Sequence, residues 1–279
     1  MRTLIVPPGI GDCCWLIMKL LSTSERFHIH IPGSLPQRGK QLWDMLPQLV
    51  VSCRYTKDTT HEVLKKTVTR FTRDWGKIRA GRFHLSFNKH LEDGKRIERA
   101  LKDLPTSFII PYQTGLPDVS VFFDGSPTIG IYCSAYSNAR HWDMWQVKQW
   151  VEFINIIHAE RPAVRFIFIG AEYDIDLSRQ IMEAIPTVPH ISTIGEPLPV
   201  VIEILKRLDY FVGFPSGLSI LHETLGKPGL MFYPEHLKRM MGTWAHPSRI
   251  MKEHIPMLKA SPAEVVGVIN KYYNLFERV

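Results

Sequence analysis

The chain has 279 residues, 45% of them apolar and 11% aromatic, with a net charge of +7. That composition excludes a disordered chain, and the length suits two domains of ordinary size. No apolar run approaches the ~20 residues that span a bilayer, and the apolar start before Pro7-Pro8-Gly9 is too short for a signal peptide.

The first half alternates short apolar runs with amphipathic stretches. Strands are expected at Thr3–Val6, Phe27–Ile31, Leu49–Cys53 and 83–87. Helices are expected at Asp12–Leu21, with Leu16 and Leu20 inward, and at Pro36–Met45 and Glu92–Lys102. Pro105 to Pro127 is rich in Pro and Gly and reads as a linker over 105–126. The second half restarts the rhythm. Strands are expected at Thr128–Cys133, Phe166–Ile169, Tyr210–Gly213 and Leu230–Tyr233, the last in the chain. Helices are expected at Met144–Ala159, Asp176–Ala184, Pro199–Leu208, Leu218–Leu225 and Pro262–Phe276. Strands alternating with helices imply parallel sheets with crossover helices. The expected architecture is α/β: two Rossmann-like, doubly wound domains, 1–125 and 126–279, facing a cleft, with a C-terminal helix closing the chain.

The positive excess is local. Residues 1–125 carry 19 Lys+Arg against 12 Asp+Glu, whereas residues 126–279 carry 15 of each. The densest stretch holds Lys65, Lys66, Arg70, Arg73, Lys77, Arg79 and Arg82, with Phe71, Trp75 and Phe83 between them. Basic side chains interleaved with rings suit a polyanion whose bases stack, and they also suit a solvated face.

Three segments could carry chemistry. Pro7-Pro8-Gly9-Ile10-Gly11-Asp12 joins the first strand to the first helix. Asp12 there is either a helix N-cap or a general base. The turn lacks the third glycine and the later acid of a dinucleotide fingerprint. Gly213-Phe214-Pro215-Ser216-Gly217-Leu218-Ser219 links a strand to a helix. Its amides, the Ser216 and Ser219 hydroxyls and the helix dipole make an anion site that a diphosphate fits. Cys133-Ser134 to Arg140-His141-Trp142 follows a strand, so Arg140 either neutralises a phosphate leaving group or pairs with Asp143. Tyr233-Pro234-Glu235-His236 follows the last expected strand, and Glu235 either accepts a sugar hydroxyl or caps a turn. Gly170 ends another strand. His28 and His30 read as a surface pair, and His222 as a core or supporting group. Cys13, Cys14, Cys53 and Cys133 include no C-x-x-C pair and read as reduced structural thiols. No metal site is expected.

Gly11-Asp12 resembles the N-terminal Gly-Asp motif of the heptosyltransferase-like glycosyltransferases, family 9, of GT-B fold. Ser134–Trp142 resembles that family's phosphate segment. Pro215-Ser216-Gly217-Leu218-Ser219-Ile220-Leu221 resembles its Asp-Thr-Gly-Leu-Ser-His-Leu motif, and Gly226-Lys227-Pro228 also matches. The resemblance covers residues 126–240 and the first 22 residues. The Phe-Pro-Ser-Gly-Leu-Ser and Tyr-Pro-Glu-His forms are most similar to phage-encoded or metagenomic members. Pro215 stands where the family has Asp, and Ile220 where it has His.

The resemblance implies an inverting, metal-independent glycosyltransferase without a cofactor, using a nucleoside-diphosphate sugar as co-substrate. It implies Asp12 as base. Ser134, Arg140, Ser216, Gly217, Leu218 and Ser219 would face the diphosphate, and Gly170, Glu235 and His236 the donor sugar or base. Gly11, Lys66, Arg70, Arg73, Trp75, Arg79 and Arg82 would face a polyanionic acceptor. The first expectation for that acceptor is hydroxymethylated DNA, because the rings suit a base leaving its stack. The alternatives are lipopolysaccharide core and, from another class, a non-catalytic sugar-nucleotide or nucleic-acid binding protein. A cytoplasmic location in a bacterium or phage-infected host is expected.

Overall fold

The structure is a computed structural model that describes residues 2–6, 9–32, 37–56, 85–86, 104–113, 117–134, 145–214, 216–233, 252–256 and 260–271. The chain divides into two compact units, Met1–Leu116 and Pro117–Val279.

The first unit runs β1 (Arg2–Ile5), α1 (Ile10–Leu20), β2 (Phe27–Pro32), α2 (Gln37–Asp44), β3 (Val50–Thr56) and β4 (Leu85–Ser86). Its sheet has the order β3-β2-β1-β4, with every pairing parallel. The expected helix at 92–102 lies outside the described residues. α1 is buried on nearly every side, from Cys13 through Leu20, and not only along the Leu16–Leu20 stripe. A helix apolar all round needs a second cover, and residues 104–113 supply it. The Ser107 amide donates to Met18 O at 2.7 Å, and Tyr112 Oη lies 3.7 Å from Cys14 Sγ. Lys19, itself buried, donates from Nζ to Leu104 O at 3.0 Å. The first part of the expected linker is therefore packed onto the first unit. Residues 117–126 pack with the second: Val119 is buried, and Asp124 pairs with Arg165 at 3.1 Å.

The second unit contains β5 (Thr128–Tyr132), α3 (Val147–Glu160), β6 (Arg165–Phe168), α4 (Ile175–Glu183), β7 (His190–Ser192), α5 (Leu198–Arg207), β8 (Tyr210–Gly213), α6 (Gly217–Thr224), β9 (Gly229–Tyr233), β10 (Lys252–Pro256) and α7 (Pro262–Asn270). The order is β10-β9-β8-β5-β6-β7, all parallel. The first strand therefore lies at the centre and the later strands wind outward on both sides, the doubly wound arrangement. Strands buried on both faces read as continuous apolar runs, as Tyr210–Gly213 does. Trp145, Trp150, Phe153, Phe214 and Phe232 form the aromatic heart of the core, with ring centroids 4.6–6.0 Å apart. Ser261 and Glu264 form a capping box that starts α7.

Two strands differ from the sequence expectation. β7 has three residues and no fully buried one. β10 follows β9 at the opposite edge, so Leu230–Tyr233 is not the last strand. Both are edges, where polar residues and Pro replace the apolar signature.

Candidate active site

In an open parallel sheet, ligands bind beyond the carboxyl ends of the strands, where the winding reverses. In the second unit that point lies between β5 and β8. Tyr132 and Gly213 are register partners there, so the two strands end level. A Cβ on Gly213 would lie 2.9 Å from Phe211 Cε1 and 3.0 Å from Tyr132 Cβ, so only glycine fits. Ser216, extended at φ −154° and ψ 175°, caps α6. Its Oγ accepts from the Leu218 amide at 3.2 Å and the Ser219 amide at 3.3 Å. Ser216, Gly217 and Leu218 are partly exposed at this helix start, and Ser134 is partly exposed just past β5.

Ser219 turns away from the site. It is buried, and its hydroxyl donates to Phe214 O at 2.5 Å, closing the strand-to-helix turn. Its expected contact with a phosphate through that hydroxyl is therefore corrected. The amides of Leu218 and Ser219 are also engaged by Ser216, so the cap and an anion would share them. The positive end of the helix dipole remains.

Gly170 follows β6. A Cβ there would lie 2.8 Å from Asp174 Oδ2, so the carboxylate occupies the space a side chain would need. Asp174 is buried and accepts from the Ala171 amide at 2.7 Å. Beside it, burial first and the Asp174 charge second push the Tyr132 phenol well above its ordinary pKa, while a hydrogen bond with the Ser216 side chain opposes them. Tyr132 and Asp174 were not singled out from the sequence. Their signal is positional: an apolar strand end followed by a small residue, and Asp four residues after a strand-ending glycine. His222 is fully buried and stacked on Phe211 at 4.5 Å, a core group.

In the first unit the corresponding reversal lies between β1 and β4. Gly9, at φ −73° and ψ 130°, is the N-cap of α1. Asp12 is therefore not the cap but an acid in the first helical turn, half-buried, where the helix dipole favours negative charge. A Cβ on Gly9 would lie 3.3 Å from Asp12 Oδ2, so the carboxylate leans back over the turn. Gly11 is buried within α1, which corrects its expected place on an open glycine turn. His30 is buried, and His28 binds Ser52 Oγ at 2.7 Å, so they are not a surface pair. All four cysteines are free thiols. No cluster of three metal-ligating side chains occurs among the described residues. None of the described helices is long and apolar enough to cross a membrane. Arg140, Glu235, His236, Lys66, Arg70, Arg73, Trp75, Arg79 and Arg82 lie outside the described residues.

The sequence matches no protein-family profile and no curated protein. Solved structures do match along the whole chain. The ADP-heptose lipopolysaccharide heptosyltransferase II of E. coli superposes with a TM-score of 0.67 at 14% identity, covering 99% of this chain and 100% of that one. A glycosyl transferase family 9 protein from Veillonella parvula gives 0.68 at 11% identity, covering 100% and 97%. The E. coli heptosyltransferase WaaC with ADP gives 0.63 at 13% identity, covering 97% and 99%.

The chain has the fold of glycosyltransferase family 9. The resemblance seen in Gly11-Asp12 and Ser216–Leu221 thus extends, as a fold, over both units. The DNA acceptor gains nothing from these matches, two of which are heptosyltransferases, one named for lipopolysaccharide. The stretch that suggested nucleic acid, residues 65–83, lies outside the described residues.

Proposed function

We propose that the protein transfers a glycosyl group from a nucleoside-diphosphate sugar to a hydroxyl of an anionic saccharide acceptor of the lipopolysaccharide-core class. The observation that carries this reading is the full-length fold match, with a partly exposed, serine-capped helix start at the winding reversal of the second unit. The donor's diphosphate lies against Ser216, Gly217 and Leu218, with Ser134 beside it and Arg140 as the neutralising cation. Asp12 takes the proton of the acceptor hydroxyl as its oxygen attacks the anomeric carbon. The carbon–oxygen bond to the diphosphate breaks on the opposite face, which inverts the configuration. Positive charge at the helix start and at Arg140 stabilises the departing nucleoside diphosphate. That electrostatic role replaces a divalent cation, so the transfer is metal-independent. The Lys+Arg excess of residues 1–125 supports an acceptor that carries phosphates or carboxylates.

The deciding experiment incubates the protein with a panel of nucleotide sugars, ADP-heptose among them, and core oligosaccharide in the presence of a chelator. Mass spectrometry is expected to show one glycosyl group added to the saccharide. Transfer to hydroxymethylated DNA instead, or a rate abolished by chelation and restored by manganese, would contradict the proposal.

A further inference from the structure

The start of α6 has few hydrogen-bond donors to spare for an anion. Ser216 Oγ accepts from the Leu218 amide at 3.2 Å and from the Ser219 amide at 3.3 Å. The Ser219 hydroxyl donates inward to Phe214 O. A diphosphate presents only acceptor oxygens, so a neighbouring element has to supply further donors.

Tyr132, the last residue of β5, stands beside that helix start. It is level with Gly213 across the β5–β8 pair, and a Cβ on Gly213 would lie 3.0 Å from Tyr132 Cβ. Glycine at 213 thus leaves room for the tyrosine against β8. Tyr132 is 3% exposed, and its phenol hydrogen-bonds the Ser216 side chain. Packing alone would be served as well by phenylalanine, because burying a hydroxyl costs free energy that its hydrogen bonds must offset.

A proton count gives the direction of the bond between them. A serine hydroxyl has one proton and two acceptor positions. The two amides of α6 take the acceptor positions, so the Ser216 proton goes to the phenol oxygen. Among the described residues Ser216 is the hydrogen-bond partner of the phenol, and the nearby Asp174 carboxylate acts on it through charge. That carboxylate is itself held by the Ala171 amide at 2.7 Å. The phenol's own proton is therefore left for a ligand. Burial first and the Asp174 charge second raise the phenol's pKa, so the proton stays in place at neutral pH.

Resting on the donor site proposed above, we infer that the Tyr132 hydroxyl donates a hydrogen bond to the diphosphate of the nucleotide sugar, beside the Ser216 cap. Ser216 supports it by donating to the phenol oxygen. Tyr132 is thus a phosphate-binding residue on β5, and it adds a donor from a second element to the positive end of α6.

The test measures dissociation constants for inorganic pyrophosphate and for ADP, GDP and UDP in the wild type, Tyr132→Phe, Ser216→Ala and the double variant, with a urea titration of each. Tyr132→Phe keeps the ring and removes only the hydroxyl. A hydrogen bond to a charged group predicts roughly 10- to 100-fold weaker binding in Tyr132→Phe, for pyrophosphate and for the nucleotide that the wild type prefers. A comparable factor is expected between Ser216→Ala and the double variant, because the phenol donates to the phosphate directly. Unchanged affinity in Tyr132→Phe, whether or not the urea midpoint falls, overturns the role of the phenol and leaves the donor site standing. A factor that vanishes in the Ser216→Ala background also overturns it, because the phenol would then act only through the cap. A wild-type protein that binds none of the four ligands overturns the donor site and the role of Tyr132 together.

Discussion

Asp12 shows how one residue's role depends on its neighbours. With Gly9 at the cap, the Asp12 carboxylate sits half-buried in the first helical turn, where the helix dipole favours negative charge. Asp12→Asn keeps the size and removes the proton acceptor. Turnover is expected to fall about 10²- to 10⁴-fold, with unfolding free energy changed by less than about 1 kcal/mol. Steady-state rates and a urea titration check this together, and near-normal turnover would leave Asp12 as only a helix-end acid. The thiols make a second case. Burial pushes Cys53 up to about 12 although it is half-buried, and burial likewise holds Cys133 at about 12 against its hydrogen bond with Ser178. Burial also raises Cys13 well above its ordinary value. These groups bind protons more tightly folded than unfolded. Their contribution to stability is complete below the unfolded value near 9 and is lost as pH rises toward the folded values. Stability should therefore decline above about pH 9. Iodoacetamide at pH 8 should modify the native protein far more slowly than the urea-unfolded chain. A thiol that reacts at once in the native protein would contradict the burial of these cysteines.

At the scale of elements, the turns after the strands carry the candidate site, and close packing dictates their small residues. Gly170 is the sharpest instance. Gly170→Ala would press a methyl group to 2.8 Å from Asp174 Oδ2 and 2.9 Å from its Cβ. Asp174 cannot yield easily, because its carboxylate holds the Ala171 amide and its carbonyl holds Ser178. The variant is expected to lose about 1–3 kcal/mol of stability, and to weaken nucleotide binding if the turn after β6 moves. Urea unfolding measures the first effect and calorimetry with ADP the second. A variant as stable as wild type would mean that the turn relaxes freely. Boundaries of the helices follow local rules more simply. Pro262 enters α7 behind Ser261, whose side chain accepts from the Glu264 amide at 3.3 Å.

At the scale of the whole molecule, the two units have separate sheets, and the donor site proposed above takes its residues from the second. Nucleoside diphosphate should therefore stabilise the second unit. At 100 times its dissociation constant it adds about 2.7 kcal/mol to unfolding. Thermal unfolding with ADP, GDP, UDP and CMP should single out one nucleotide, and hydrogen exchange should show protection at β5, β8 and α6. Protection confined to the first unit would move the donor site.

The sequence by itself determined the alternation of strands and helices, because central parallel strands are unbroken apolar runs and their crossover helices have period 3.6. It also marked Asp12 and the Ser216–Ser219 turn, since Gly, Ser and Asp at a strand-to-helix junction either cap the helix or face an anion. It left open which roles those residues take. Only the tertiary structure decided that Gly9 and not Asp12 caps α1, since a cap is defined by backbone angles. Packing alone decided that Ser219 turns inward, that Asp174 fills the space over Gly170, and that residues 104–113 cover α1 and do not link two domains. β7 and β10 were illegible because an edge strand is recognised by the neighbour it pairs with, and its own residues are polar. Strand order is likewise a long-range property. The winding reversal between β5 and β8, which gathers Tyr132, Ser134 and Ser216 at one edge, exists only once the sheet has formed.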